Sequence, residues 1–126
     1  MLRLLLLCFA SAATAGDLYV ICHPGVKLQS TEVRDMFLGD KQFAGSVMLQ
    51  PADNNAAQPA FLEKVLNMSA DKYATAWTKK SFRDGLNPPP VKGTDAEAVD
   101  YVRRTSGACS YTSTLPGPGV LVIATL

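Results

Sequence analysis

Apolar and polar positions along the chain fall into segments that predict strands and helices in turn. A continuous apolar run at residues 18–22 predicts a strand buried on both faces, and His23-Pro24-Gly25 ends it. Three more strands are predicted at residues 46–50, 108–113 and 120–126. Capping residues and apolar residues at helical spacing predict helices that begin at Ser30, Pro59, Ser69 and Thr94.

Prolines, glycines and large apolar residues set more detailed expectations. Pro51 is expected to stop the second strand, and Gly107 to end the last helix. Residues 84–93, which hold three consecutive prolines and two glycines, predict a semi-rigid extended loop. In the helix that Ser69 caps, the residues expected to face inward are Tyr73, Ala76, Trp77 and Phe82.

The order strand, helix, strand, two helices, loop, helix, strand, strand predicts one α/β domain. Because strands that alternate with helices usually run parallel, we expect a mostly parallel four-stranded sheet with helices on both faces. Ligands of such sheets sit outside the carboxyl ends of the strands. That rule selects three segments, namely residues 23–25, residues 53–57 and the helix start at Thr94.

The first fifteen residues contain the three parts of a secretory signal peptide. A positive start at residues 1–3 is followed by an apolar stretch at 4–10 and a small-x-small site at 13–15. We expect cleavage after Ala15, which leaves residues 16–126 as a single periplasmic domain. A membrane span takes about 20 apolar residues, so none is expected after cleavage. The alternative is a buried N-terminal strand or helix.

Charge and cysteine content narrow the function classes. The 126 residues carry 12 Lys and Arg against 11 Asp and Glu, with no basic cluster beyond 79–80 and 103–104, so no nucleic-acid partner is expected. Export removes Cys8 and leaves Cys22 and Cys109, and an even pair in an oxidising compartment predicts a disulfide. Two buried free thiols or one reactive cysteine are the alternatives.

Enzyme signatures are absent from the sequence. Cys22 and His23 are neighbours that would point to opposite faces of a strand, which argues against a Cys–His nucleophile pair. No metal-ligand spacing, P-loop, GxGxxG or GxSxG motif occurs. We therefore expect no enzyme, no metal and no cofactor. The alternative is an enzyme with Cys22 or His23 as its reactive group.

A candidate ligand surface is built from small polar residues near helix starts. The run 53–57 leads towards a helix N-terminus, where free N–H groups and the helix dipole can hold an oxyanion. The alternative is that these Asn and Asp residues serve only in turns and caps. The candidate ligand-binding residues are Asp53, Asn54, Asn55, Thr94 and His23.

Three stretches in order resemble the phosphate-binding-protein-like periplasmic family. The first is Pro24 and Ser30 followed by Phe37-Leu38-Gly39, and the second runs from Asn67-Met68-Ser69 through Trp77 to Phe82-Arg83-Asp84-Gly85. The third is Thr105-Ser106-Gly107-Ala108-Cys109-Ser110-Tyr111. The resemblance covers nearly all of the chain after residue 18. It implies the type II periplasmic-binding-protein fold, an α/β sandwich.

The resemblance also implies a function, which is the substrate-binding component of a phosphate ABC transporter. In the family, an Arg-x-Asp-x-Ser-Gly-Thr loop holds phosphate. Here only Asp53 matches, while Pro51, Asn55 and Ala57 replace the Arg and the two hydroxyl residues. At this length the chain is one lobe of a fold that usually closes two lobes over its ligand.

A single lobe with an open ligand-binding face is compatible with two functions. The first is weak binding of phosphate or another small oxyanion in service of an ABC transporter. The alternative is an envelope protein-interaction module whose ligand site has decayed. A second copy of the chain, as a homodimer, is a further candidate to cover the open face.

Overall fold

The computed structural model describes residues 18–126, so the predicted signal peptide, its cleavage site and Cys8 lie outside the described residues. The strands are β1 (Tyr19–Cys22), β2 (Phe43–Ala44), β3 (Val47–Met48), β4 (Gln50–Pro51), β5 (Asp53–Asn54), β6 (Val91–Lys92), β7 (Ala108–Thr112) and β8 (Leu121–Thr125). The helices are α1 (Val33–Phe37), α2 (Gln58–Phe61), α3 (Ala70–Asp84) and α4 (Asp95–Arg104). A 3₁₀ turn at Ser30–Glu32 precedes α1, and a π-helical turn at Leu62–Leu66 extends α2.

The main sheet has four strands in the order β4-β7-β1-β8, and two short two-stranded ribbons, β2-β3 and β5-β6, accompany it. In it, β1 runs antiparallel to both β7 and β8, and only the β4-β7 pair is parallel. The α/β class is therefore confirmed, but the expectation of a mostly parallel sheet is wrong and the sheet is mixed. The parallel rule holds for strands joined by a single crossover, whereas β1 pairs with strands from the far end of the chain.

Helices cover both faces of this sheet, as expected. Val20 and Cys22 point into the larger core, which α1, α2 and α3 close with Phe37, Phe61 and Trp77. Ile21, on the opposite face of β1, packs against α4 in a smaller cluster with Val99, Val102 and Ala108. The period-two alternation of β1 thus divides the protein into two apolar layers.

The predicted disulfide is present in the structure. Cys22 on β1 lies directly opposite Cys109 on β7, and their sulfur atoms are bonded. Both residues are fully buried in the larger core. The bond joins positions 87 residues apart, which on the chain-entropy view stabilises the fold by up to about 4 kcal/mol.

Helix starts agree with the sequence in three cases and differ in one. Pro59 lies in the first turn of α2, and Ser69 caps α3 by accepting a hydrogen bond from the Lys72 N–H at 3.2 Å. Thr94 caps α4 by accepting from the Glu97 N–H at 3.1 Å. The first helical segment, however, is capped by Gln29 rather than Ser30, because Gln29 is the last extended residue before the turn.

Other local expectations need correction. The strand expected at residues 46–50 is divided into β3 and β4, and β4 ends at Pro51, which is its last residue and does not lie outside the strand. The expected loop at residues 84–93 contains β6, which pairs with β5. Helix α4 ends at Arg104, before Gly107, whose left-handed backbone instead lets the chain pass close to the Met48 carbonyl.

Phe82 does not face the core. Its side chain is 87% exposed, while Tyr73 and Trp77 on the same helix are buried and Ala76 is half-buried. Phe82 lies five residues after Trp77, which places it roughly 140° further round the helix. Within residues 18–126, no helix has the length and apolar character needed to cross a membrane.

Candidate functional site

Asp53 is the only carboxylate among the expected ligand residues, and it is buried. It lies on β5, is 2% exposed, and accepts two hydrogen bonds from tyrosine hydroxyls. The Tyr111 hydroxyl donates to Oδ1 at 2.6 Å, and the Tyr73 hydroxyl donates to Oδ2 at 2.8 Å. Since Tyr111 belongs to β7 and Tyr73 to α3, the carboxylate links the main sheet to the helix that covers it.

The pKa values of the Asp53 carboxyl and of the Tyr73 and Tyr111 hydroxyls are all raised. Burial raises the pKa of Asp53, and hydrogen bonds from Tyr111, Tyr73 and Gln58 oppose this rise without cancelling it. Burial and the nearby carboxylate also raise the pKa of Tyr73 and of Tyr111. The two phenols therefore keep their protons at neutral pH and serve as donors to the carboxylate.

Tyr111 itself is held by aromatic packing that the sequence did not reveal. Its ring stacks on Phe61 with centroids 3.9 Å apart and planes within 4°. Phe37 meets the Phe61 ring edge-on at a centroid distance of 4.7 Å. Residues from α1, α2 and β7 thus fix the position from which the Tyr111 hydroxyl reaches Asp53, and the contacts are too distant in sequence for a local pattern to show them.

A cleft of about 610 Å³ opens beside Asp53. Helix α3 forms one wall with Tyr73, Ala74, Trp77, Thr78, Ser81 and Phe82, and Pro88, Pro89 and Val91 belong to the facing segment. Asp53 and Gln58 complete the lining. Asp53 is the only charged residue among the described residues that line the cleft, so the surface combines apolar walls with one shielded negative group.

Asn54 is a structural residue in this arrangement. It is fully buried, and its side-chain amide donates to Asp95 Oδ1 at 2.7 Å and to the Tyr111 carbonyl at 2.8 Å. Its side-chain oxygen accepts from the Ala56 N–H at 3.0 Å. Both amide hydrogens and the oxygen are thus occupied within the protein, which leaves Asn54 little capacity for a ligand.

Asp95 is a second hub of hydrogen bonds, half-buried at the start of α4, and the sequence did not reveal it. Its carboxylate accepts from Asn54, from the backbone and hydroxyl of Ser113, and from the Thr114 hydroxyl. Burial raises the pKa of Asp95, but these hydrogen bonds outweigh it and the pKa is lowered overall. An acidic residue in the first turn of a helix is ordinary, so no local signal marked Asp95 as the anchor of the segment after β7.

Asn55 and Thr94 lie just beyond the ends of β5 and β6, at the same end of that ribbon. The Asn55 N–H donates to the Lys92 carbonyl at 2.8 Å, and Thr94 follows Lys92 by two residues. Both side chains are exposed, although the Thr94 hydroxyl is engaged in its helix cap. The structure therefore brings Asp53, Asn54, Asn55 and Thr94 into one region, as the sequence suggested.

His23 does not join that region. It follows β1, which is antiparallel to β7, whereas β4 is parallel to β7 and leads directly to Asp53. Cys22 and Pro51 lie level with each other on either side of Cys109, and from there the two chains run in opposite directions, which separates His23 from Asp53. His23 Nδ1 accepts a hydrogen bond from the Gly25 N–H at 3.3 Å, which is a local turn contact.

The described residues offer few groups for metal or nucleophile chemistry. Within residues 18–126, no three His, Cys, Asp or Glu side chains are placed to hold a metal ion together. Cys22 and Cys109 are joined in the disulfide, so neither is a free thiol. No protein-family model matches this chain, and a comparison with curated proteins finds no match either.

Proposed function

We propose that the protein is a non-enzymatic binding module of the periplasm, similar to one lobe of the phosphate-binding-protein-like family. One observation carries the proposal: Asp53 and its donor Tyr73 line an open cleft, while its other donor, Tyr111, is buried in the core. The helix that Asp53 anchors, α3, also forms the main wall of that cleft. The buried network therefore gives a rigid shape to a surface that is open to solvent.

The lining of the cleft favours an apolar protein segment as its occupant. Trp77, Phe82 and two prolines offer aromatic and ring surfaces, and the exposed Val91 extends them at the rim. Thr78, Ser81 and Gln58 add hydrogen-bonding groups between them. Binding sites for peptides commonly combine such apolar walls with a few polar groups. The occupant we propose is a segment of an envelope protein, such as a transporter subunit.

Binding of phosphate or another small oxyanion is the second candidate. It is favoured by the position of Asn55 and Thr94, which are exposed together beside Asp53. The cleft lining itself has a carboxylate and no Lys or Arg among the described residues. An anion in the cleft would approach this carboxylate with no cationic side chain in the lining to offset the repulsion, which disfavours it. We therefore place the oxyanion second.

Trp77 provides a direct test because it is the only tryptophan of the chain and lines the cleft. Its fluorescence is followed while the protein is titrated separately with short peptides rich in Leu, Phe and Pro, and with potassium phosphate. We expect peptides to shift or quench the emission and phosphate to leave it unchanged. A saturable response to phosphate alone would favour the oxyanion function, and no response to either probe would contradict binding in this cleft.

A further inference from the structure

Within residues 18–126, the outer edge of β8 lacks the protection that the other edge of the main sheet has. At the opposite edge, β4 is only two residues long and contains Pro51, which has no N–H to offer a new strand. By contrast, β8 has five residues, none of them proline or charged. Unprotected edges of this kind pair readily with another strand.

The free hydrogen-bonding groups of β8 can be located from its pairing with β1. Leu18 and Leu126 exchange both of their backbone hydrogen bonds, and in antiparallel pairs such positions alternate with non-bonded ones. Thr125, opposite Tyr19, therefore directs its N–H and C=O away from β1. Ile123 has no partner on β1, and beyond this bulge Val122 takes the outward orientation.

The side chains and charge around this edge also suit association. Leu121, Val122 and Leu126 are all exposed, although apolar residues of this size are usually covered. The last 22 residues of the chain, from Thr105 to Leu126, contain no charged side chain, so a like segment meets no electrostatic repulsion there. The formal net charge of the whole chain is only +1, which also limits repulsion between copies.

We infer that β8 pairs antiparallel with β8 of a second copy, which joins two main sheets across a two-fold axis. Placing Val122 of one copy opposite Thr125 of the other lets the outward N–H and C=O groups of both strands bond to each other. Such an interface is self-complementary, so the same edge serves both partners. This dimer is independent of the cleft, because none of the residues lining the cleft belongs to β8.

The test compares two valine-to-lysine variants by sedimentation equilibrium over a range of concentrations. Val122 is 46% exposed on β8, and Val91 is 61% exposed on β6 at the cleft rim, so Val122→Lys has a matched control in Val91→Lys. We expect the wild-type protein and Val91→Lys to form dimers, and Val122→Lys to weaken the dimer at least tenfold. A monomer at all concentrations, or a dimer that survives Val122→Lys, would overturn the inference.

Hydrogen exchange supplies a measurement that does not depend on a variant folding. In the wild-type protein, the amides of Val122 and Thr125 should exchange more slowly as concentration rises, while the amide of Ala74, an exposed residue of α3, should show no local protection of this kind. Concentration-dependent protection on α3 with none on β8 would place the contact at the cleft and contradict the proposed pairing.

Discussion

Tyr111 and Asp53, 58 positions apart in the chain, are joined by a hydrogen bond of 2.6 Å in the interior of the protein. The bond attaches the short strand β5 to the centre of the main sheet. A second bond from Tyr73 attaches α3 to the same carboxylate. The shape of the candidate cleft thus depends on one acidic residue that touches two tyrosines.

Removing the Tyr111 hydroxyl should lower stability while leaving the aromatic packing in place. Tyr111→Phe leaves one oxygen of the buried Asp53 carboxylate without its donor, and we expect the free energy of unfolding to fall by about 1–3 kcal/mol. Urea denaturation measures the change. Tyr19→Phe, at a half-buried tyrosine on β1, is the control and should stay within about 0.5 kcal/mol of wild type. Equal losses in both variants would contradict a special role for Tyr111.

The raised pKa of Asp53 predicts a stability that improves on mild acidification. Between the unfolded value of about 3.9 and the raised folded value, the folded protein holds a proton that the unfolded chain has lost. The stability of wild type relative to Asp53→Asn should therefore rise as the pH falls from neutral towards about 4. Urea unfolding of both proteins across this range measures the difference, and a flat difference would contradict it.

Asp95 should show the opposite pH dependence. Its pKa is lowered in the folded protein, so its contribution is complete above the unfolded value of about 3.9 and is lost as the pH falls through the folded value. The stability of wild type relative to Asp95→Asn should be constant near neutral pH and decrease below about pH 4. The same unfolding series tests this, and a relative stability that increases below about pH 4 would be inconsistent with the hydrogen bonds from Ser113 and Thr114.

The disulfide and the expected leader cleavage can be tested by one thiol count. Denatured, unreduced protein recovered after export should contain no free thiol, because Cys22 and Cys109 are bonded and Cys8 is removed. One free thiol would mean that the bond exists but Cys8 is retained, and more than one would contradict the bond. Replacing both bonded cysteines by alanine should lower the free energy of unfolding by up to about 4 kcal/mol.

Gly107 should tolerate alanine far less than Gly117 does, although both have nearly the same backbone angle. Their φ values are +82° and +81°, so the strain of a left-handed alanine, about 1–2 kcal/mol, is common to both. At Gly107 a Cβ would also lie 2.1 Å from the Met48 carbonyl oxygen, whereas nothing lies within 4 Å at Gly117. Thermal unfolding should show a clearly larger loss for Gly107→Ala, and equal losses would contradict the close approach of Gly107 to the Met48 carbonyl.

Sequence reasoning succeeded where neighbouring residues decide the structure. The caps at Ser69 and Thr94 depend on contacts three residues away, and the apolar alternation in β1 follows from the strand itself. It also found the bonded cysteines, because export was expected and two cysteines in an exported chain have few alternatives. These features need no knowledge of how distant segments meet.

Sequence reasoning failed where the structure depends on strand direction or on contacts between residues distant in sequence. Because β1 runs antiparallel to β4, the chain at His23 leads away from Asp53, which no local pattern shows. Asn54 looked like an available turn residue, but it is fully engaged by Asp95 and by Tyr111, 57 positions away. The structure therefore places the candidate site where the sequence predicted it, except for His23, but gives its residues different roles.

The most direct measurement of cleft binding compares two neighbouring substitutions on α3 by calorimetric titration with a Leu-, Phe- and Pro-rich peptide. Ala74 lines the cleft, whereas the adjacent Thr75 is exposed outside it, so Ala74→Arg obstructs the cleft and Thr75→Arg adds the same charge elsewhere. We expect Ala74→Arg to raise the Kd of the peptide at least tenfold and Thr75→Arg to change it less than twofold. Equal affinities of the two variants would contradict binding in the cleft.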